Sequence, residues 1–335
     1  MSDLAVTQAD VTDAATRLTG VVRETPLLSH PALDAIAGRK LLVKAESLQR
    51  TGSFKFRGAS NAVAQLPKGT SHVVAFSSGN HAQGVALAAQ SHGLPATIIM
   101  PADAPVSKIK GTKGYGAQVA TYDRATGSRK EAAQPFLKKS GARLIHPFDN
   151  PHVIAGQGTA GTEIIAQAAA QGVQQADVLV CTGGGGLASG IALAVQSTGL
   201  RVRTVEPEGF DDAARSLAQG SRVTNAATTG SICDAILTPS PGTLTFPILQ
   251  EHAGPGLVVS DTEALRAAAL AFTYLRIVLE PGGAVALAAA LFKGKEQNGD
   301  AVIAVATGGN VDAEMFARIL EHVPIPDAAD GTSAW

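Results

Sequence analysis

The stretch Asp177-Val178-Leu179-Val180-Cys181-Thr182-Gly183-Gly184-Gly185-Gly186-Leu187-Ala188-Ser189-Gly190 joins two kinds of sequence. Its first half is apolar from Val178 to Cys181, as a parallel strand buried on both faces requires. Its second half is four consecutive glycines ahead of a helical run. A turn needs one glycine. Four let backbone N–H groups converge at a helix start, where the macrodipole also favours an anion, so the segment predicts a phosphate site. A rival reading is open here. Gly183-x-Gly185-x-x-Ala188 fits the G/A variant of the dinucleotide fingerprint, and Glu206 ends the next predicted strand about 20 residues on, where a ribose-binding acid belongs. That reading makes the protein an NAD-dependent oxidoreductase. Against it, the fingerprint normally opens a nucleotide domain but lies mid-chain here, and it leaves two other segments without a role.

Outward from this segment, short apolar runs alternate with longer amphipathic ones. Strands are predicted at Leu41–Ala45, His72–Phe76, Ala96–Met100, Gln118–Tyr122, Asp177–Thr182, Val202–Glu206, Leu257–Ser260 and Ala301–Ala306, with helices between them, among them Phe54–Leu66, Pro151–Gly172, Leu187–Ser197 and a long one over Asp261–Leu279. Such alternation predicts an α/β protein built on parallel sheets. Three strand-then-helix units fall between His72 and Pro147, predicting a small α/β domain over 72–147 inserted in a larger one formed by 1–71 and 148–335. Thr224–Pro241 reads as a long surface loop, and the tail Pro324–Trp335 as frayed.

Composition narrows the class. With 335 residues, 45% hydrophobic and 16% charged, the chain has material for a sizeable core. A net charge of −1 marks neither a nucleic-acid partner nor an anionic membrane surface. Two cysteines, Cys181 and Cys233, cannot make a disulfide scaffold or a Cys-rich zinc site. The N-terminus is polar and acidic, unlike a signal peptide, and no apolar run approaches ~18 residues, so a soluble, cytoplasmic protein is expected. HExxH and GxSxG are absent.

Further constellations stand out. In Thr51-Gly52-Ser53-Phe54-Lys55-Phe56-Arg57-Gly58, a lysine sits in the first turn of a predicted helix, where cations are disfavoured. It has a depressed pKa or a covalent partner, as a Schiff-base lysine would, or else it points into water. Ser77-Ser78-Gly79-Asn80-His81-Ala82-Gln83-Gly84 places small and amide residues at a helix start, more than a cap needs, which suits a carboxylate or phosphate. Glu206-Pro207-Glu208-Gly209-Phe210-Asp211-Asp212 is either an acidic helix start or an oxygen-ligand site for a hard cation. Thr307-Gly308-Gly309-Asn310 puts a hydroxyl at a strand's C-terminal end, where α/β sheets hold ligands. Glu280-Pro281-Gly282-Gly283 breaks one helix and starts another, a structural or a functional feature.

Taken in this order, the segments resemble the serine/threonine dehydratase and serine racemase family of fold-type II pyridoxal-phosphate (PLP) enzymes, from about residue 8 to residue 322. The resemblance implies the tryptophan synthase β-like architecture, two parallel-sheet α/β domains with the cofactor in the cleft between them. It implies that Lys55 carries the cofactor and acts on one face of the substrate, with Ser78 on the other. Asn80 would bond the cofactor's 3′-oxygen, Phe54 would pack beside its ring, Gly183, Gly184, Gly185, Gly186 and Leu187 would bind its phosphate, and Thr307 would face its pyridine nitrogen. Ser53, Ser78, Gly79, Asn80 and His81 would hold the substrate carboxylate. Glu206, Asp212 and the Phe210 carbonyl match a site for Mg2+ or another divalent cation (Ca2+ or Mn2+). Arg129 lies where relatives contact the distal part of the substrate.

The implied activity is a PLP-dependent ammonia-lyase converting a β-hydroxy amino acid (serine, threonine or 3-hydroxyaspartate) to a 2-oxo acid and ammonia. The alternative is an amino-acid racemase with side elimination. Ala235 stands where serine racemases usually carry glycine, which weighs against racemisation. The regulatory domain of biosynthetic threonine deaminases has no counterpart, so isoleucine feedback is not expected. The expected partners are an amino-acid substrate and, from the family alone, a second copy in a homodimer.

Overall fold

The computed structural model of the chain describes residues 4–323, apart from Ser78, Pro105, Arg124, Ala125, Asn298 and the side chains of Ser107 and Arg129. The predicted tail thus lies outside the described residues. Among those described, ten strands form two sheets. In chain order they are β1 (Leu27–Leu28), β2 (Lys40–Ala45), β3 (His72–Phe76), β4 (Ala96–Pro101), β5 (Gln118–Tyr122), β6 (Ala142–Leu144), β7 (Gln175–Cys181), β8 (Gly199–Pro207), β9 (Ala253–Val259) and β10 (Ala301–Ala306). The larger sheet runs β1-β2-β10-β7-β8-β9 and the smaller β5-β4-β3-β6. Of these strand pairings, only β1–β2 is antiparallel. The C-terminal ends of the other strands in each sheet therefore share one edge.

The apolar runs are explained by burial on both faces. Leu179 and Cys181 of β7 join Leu41, Val43, Val302 and Ala304 in one core, covered by the Pro281–Phe292 helix. Their neighbours Val178 and Val180 join Leu42, Ile303 and Val305 in a second core, under the Gly186–Val195 helix. The side-chain period of two thus sends consecutive residues into different cores. The smaller sheet does the same: Val73 and Ala75 pack with Phe56 and Val85, while Val74 packs with Ile99 and Ala133.

Several elements differ from expectation. The helix predicted over Asp261–Leu279 is α-helical only to Leu270. It passes through a π turn (Ala271–Leu275) and stops at Arg276, whose φ of 58° is left-handed. Pro281 holds Glu280 extended (φ −75°, ψ 155°), because a residue before proline avoids helical backbone. The helices Pro31–Ala37 and Thr245–His252 and the strand β6 were not foreseen. All three are too short to carry a periodicity of their own.

One buried cluster joins the parts that support the first lysine-bearing segment. Arg57 bonds Glu46 (Nε–Oε2 2.7 Å) and Glu163 (Nη1–Oε1 2.6 Å), and Lys44 bonds the other Glu163 oxygen at 2.6 Å. Arg57, Glu46 and Lys44 are fully buried. Removing one partner of a buried pair leaves an uncompensated charge, which costs roughly 3–5 kcal/mol. Arg57→Met should therefore lower the unfolding free energy in urea by about that amount. A loss below about 1 kcal/mol would show that Lys44 and Thr25 satisfy Glu46 and Glu163 without the guanidinium.

Candidate active site

Both sheets contribute strand ends to one cavity of about 450 Å³. Thr182 to Leu187 follow β7, Thr307 follows β10, and Phe76, Pro101 and Tyr122 close β3, β4 and β5. The tetraglycine turn forms one wall. Gly185 has a φ of 88°, which disfavours L side chains, and begins the Gly186–Val195 helix. A Cβ on Gly184 would lie 2.3 Å from the Phe148 ring. The Gly184 carbonyl accepts from Gly242 N–H (3.1 Å) and from the Thr245 hydroxyl (2.7 Å), so the turn is fixed from behind. The first N–H groups of the helix have no intrahelical partner. A small, closely packed turn with free donors fits a phosphate group.

Lys55 opens the Lys55–Ala64 helix and lines the same cavity. Its Nζ donates to the Pro147 carbonyl at 3.0 Å and sits 4.9 Å from the Phe54 ring centroid. Of the three readings open in the sequence, pointing into bulk water is the one the fold excludes. Burial brings the amine's pKa down to about 8, with the Glu280 carboxylate pulling the other way. A neutral amine is thus within reach near neutral pH, as nucleophilic addition to a carbonyl requires.

The turn before Lys55 is pinned to the end of β10. Phe54 N–H donates to Thr307 O (3.1 Å), Gly309 N–H donates to Gly52 O (2.9 Å), and Ser53 bridges Gly308. Thr51 has a φ of 63°, a costly conformation for a β-branched residue, and Asn310 Nδ2 secures its carbonyl at 2.8 Å. Ser53 Oγ is fully buried and has no hydrogen-bond partner among the described residues. A ligand group at this turn would supply one.

The Ser77–Gly84 segment is placed as follows. Asn80 starts the Asn80–Ser91 helix and lines the cavity. Gly79 N–H is already taken by Ser77 Oγ at 3.1 Å. The His81 ring is buried and Nε2 donates to Ile145 O at 3.0 Å. Burial, then the nearby Lys55, push its pKa down to about 3, so the ring is neutral. With its ring N–H engaged, what His81 can offer a carboxylate is its backbone N–H at the helix start. Ser78 and the side chain of Arg129 lie outside the described residues.

The acidic segment stands apart from the cavity. Glu206 is fully buried and accepts from Ala213 N–H (2.9 Å) and Ala214 N–H (2.8 Å). Asp212 Oδ1 accepts from Asn225 at 2.6 Å, whereas Oδ2 is buried with no hydrogen-bond partner among the described residues. Burial, then Asp212, raise the Glu206 pKa well above the usual carboxylate range. Among the described residues no three His, Cys, Asp or Glu side chains gather as a metal cluster. The site offers two carboxylates and the carbonyl of buried Phe210, and the orphaned Oδ2 fits a cation.

Several lining residues carried no signal of their own in the sequence. Lys108 and Asp234 form a 2.8 Å ion pair at the wall. Tyr122 also lines the cavity, as do Ala235, which the resemblance alone had marked, and Glu280, which holds Asn80. Glu280 was visible only as a helix break.

The geometry describes a lysine facing an anion cradle, and comparison with known proteins agrees. The family description "Pyridoxal-phosphate dependent enzyme" matches residues 18–308, and the chain belongs to that family. It is 42% identical over 317 residues to an L-threo-3-hydroxyaspartate ammonia-lyase of Pseudomonas sp, covering 93% of this chain and 98% of that one. It is 39% identical to a serine racemase of Schizosaccharomyces pombe, covering 96% and 100%. The crystal structure of a threonine deaminase of T.th. superposes with a TM-score of 0.85 at 44% identity, covering 91% and 98%. The fold is thus the fold-type II architecture that the resemblance implied, and the dinucleotide reading of Gly183–Ala188 is set aside. No helix among the described residues is long and apolar enough to cross a membrane.

Proposed function

We propose that this protein is an ammonia-lyase that removes water from a β-hydroxy amino acid and yields a 2-oxo acid and ammonia. The observation that carries the reading is the Lys55 amine, brought down to about 8 inside a cavity that also holds the tetraglycine cradle. The similarity to a hydroxyaspartate ammonia-lyase and to a threonine deaminase supports it. Bound PLP supplies the electron sink that lets a proton leave the substrate α-carbon. Gly183 to Leu187 would take its phosphate, Asn80 its 3′-oxygen, Thr307 its ring nitrogen, and Phe54 would pack beside the ring. Ser53, Ser78 and the helix start at Gly79 to His81 would orient the substrate carboxylate.

The Lys55 amine would take the α-proton from one face, and Ser78 would serve the other. With the α-proton gone, the Cβ–O bond breaks and the hydroxyl, given a proton by the Lys55 ammonium or another acid of the site, would leave as water. The released enamine tautomerises and is hydrolysed to the 2-oxo acid and ammonia. Lys55→Ala should lose the visible absorbance of the lysine-bound cofactor and lower oxo-acid formation by roughly 100-fold or more. Full activity in that variant would end this reading. Chiral analysis of recovered serine tests the racemase alternative, favoured by the 39% identity to a serine racemase and opposed by the Ala235 methyl in the cavity wall.

Within the β-hydroxy amino acids, 3-hydroxyaspartate is the substrate we favour, with Arg129 pairing its second carboxylate. A bidentate charged bond is worth more than a neutral one. Arg129→Ala should cut kcat/KM for 3-hydroxyaspartate roughly 10- to 100-fold while leaving serine turnover within a few-fold. An equal loss on both substrates would remove Arg129 from that role.

Glu206, Asp212 and the Phe210 carbonyl would hold Mg2+, Ca2+ or Mn2+. A cation there binds only the folded chain, so millimolar Mg2+ should raise the melting temperature by several degrees, and Asp212→Asn should abolish the rise. The same reading takes residues 1–71 with 148–335 as the large domain around an inserted 72–147. It also takes the protein as cytoplasmic, from its polar N-terminus, and as a homodimer, which follows from the family alone.

A further inference from the structure

Asn80 is held by two partners. Its Nδ2 donates to Glu280 Oε1 at 2.5 Å, and its Oδ1 accepts from Asn310 Nδ2 at 2.7 Å. Asn310 in turn reaches the carbonyl of left-handed Thr51. The two bonds fix which end of the amide is nitrogen. A side-chain amide nitrogen has two hydrogens, and Glu280 takes one. Among the described residues nothing takes the other, which leaves it as a donor for the cavity that Asn80 lines.

Glu280 itself is unusual. It is 4% exposed, lines the same cavity, and caps no helix N–H with its side chain although it precedes the Pro281–Phe292 helix. Its backbone is fixed by a bond from its N–H to Gly308 O at 3.1 Å. A Cβ on Gly308 would lie 2.3 Å from Glu280 Oε1 and 3.0 Å from Asn80 Nδ2, so the glycine there leaves room for this contact. Among the described residues no cation bonds this carboxyl, and burying such a group is costly unless it has another task. The charged groups acting on it are Lys55, Lys108 and Asp234. Burial above all brings its pKa up to about 7.

We propose that Glu280 is a positioning residue of this site: with Asn310 it fixes the Asn80 amide so that its second Nδ2–H serves the cofactor, and its carboxylate supplies the negative charge that acts on the Lys55 amine. The inference rests on the reading that PLP binds through Lys55, and it adds a residue that reading does not use.

Equilibrium binding tests it. The protein is stripped of cofactor, PLP is added back, and the dissociation constant is read from the visible absorbance. Glu280→Ala should weaken PLP binding about tenfold, because a buried donor loses its acceptor. In an Asn80→Ala background the same substitution should change binding less than about twofold, since the amide it acts through is gone. Glu280→Gln keeps an acceptor for Asn80 but removes the charge. It should bind PLP within a few-fold of the unsubstituted protein, while the pH midpoint for cofactor uptake by Lys55 moves down. If Glu280→Ala fails to fold, the Glu280→Gln midpoint and the weaker binding expected of Asn310→Ala carry the test. Unchanged binding in Glu280→Ala, an equal loss with and without Asn80, or an unmoved midpoint in Glu280→Gln overturns the proposal and leaves the PLP reading standing. No PLP uptake by the unsubstituted protein overturns both.

Discussion

Every guanidinium nitrogen of Arg57 is engaged inside the protein, by Glu46, Glu163, Thr159, Thr25 and the Arg23 carbonyl. Much of the site depends on that one side chain. Residues two apart on a helix do not share a face, so anchoring Arg57 turns Lys55 toward the opposite side, where the cavity lies. The partners of Arg57 come from the segment after β2, from the Pro151–Ala170 helix and from the N-terminal stretch. The helix carrying the reactive lysine is thus tied to three parts of the chain. With Lys44 the cluster holds two cations and two anions, so its charges compensate locally.

The charges that act on Lys55 and Glu280 lie in the cavity wall. Burial pushes Lys55 down to about 8 and Glu280 up to about 7, so both change charge close to neutrality. His81 stays neutral and contributes a fixed dipole bonded to Ile145 O. The anion cradle at Gly183 to Leu187 is built from backbone donors, which do not titrate. A ligand thus meets two adjustable groups in a frame whose remaining donors are constant.

How much of this is legible in sequence follows from physical range. The strands β7 and β10 were readable because both faces are buried and the apolar code is unbroken. The tetraglycine turn was readable because no other residue fits where Phe148 presses on Gly184 and Gly185 is left-handed. Lys55 was readable as a cation at the wrong end of a helix. The Pro31–Ala37 helix had its signs in Pro31 and Gly38, the favoured start and stop residues, but seven residues give no face to detect. Glu280 was hidden for a different reason. Its meaning depends on Asn80, 200 residues away, and no local pattern encodes that meeting.

The place of β10 has a consequence for how the chain is made. It lies between β2 and β7, with Ala301 beside Lys40 and Val302 beside Asp177. During synthesis the middle of the larger sheet is missing until the last strand emerges, leaving two apolar edges, at β2 and β7, without a neighbour. The smaller sheet, made wholly from residues 72–144, has all its strands long before that. Such late, distant pairing is slow, and unpaired apolar edges attract other chains. The nascent protein is most exposed to aggregation in the interval between completing β9 and inserting β10, and a chaperone that shields sheet edges would act there.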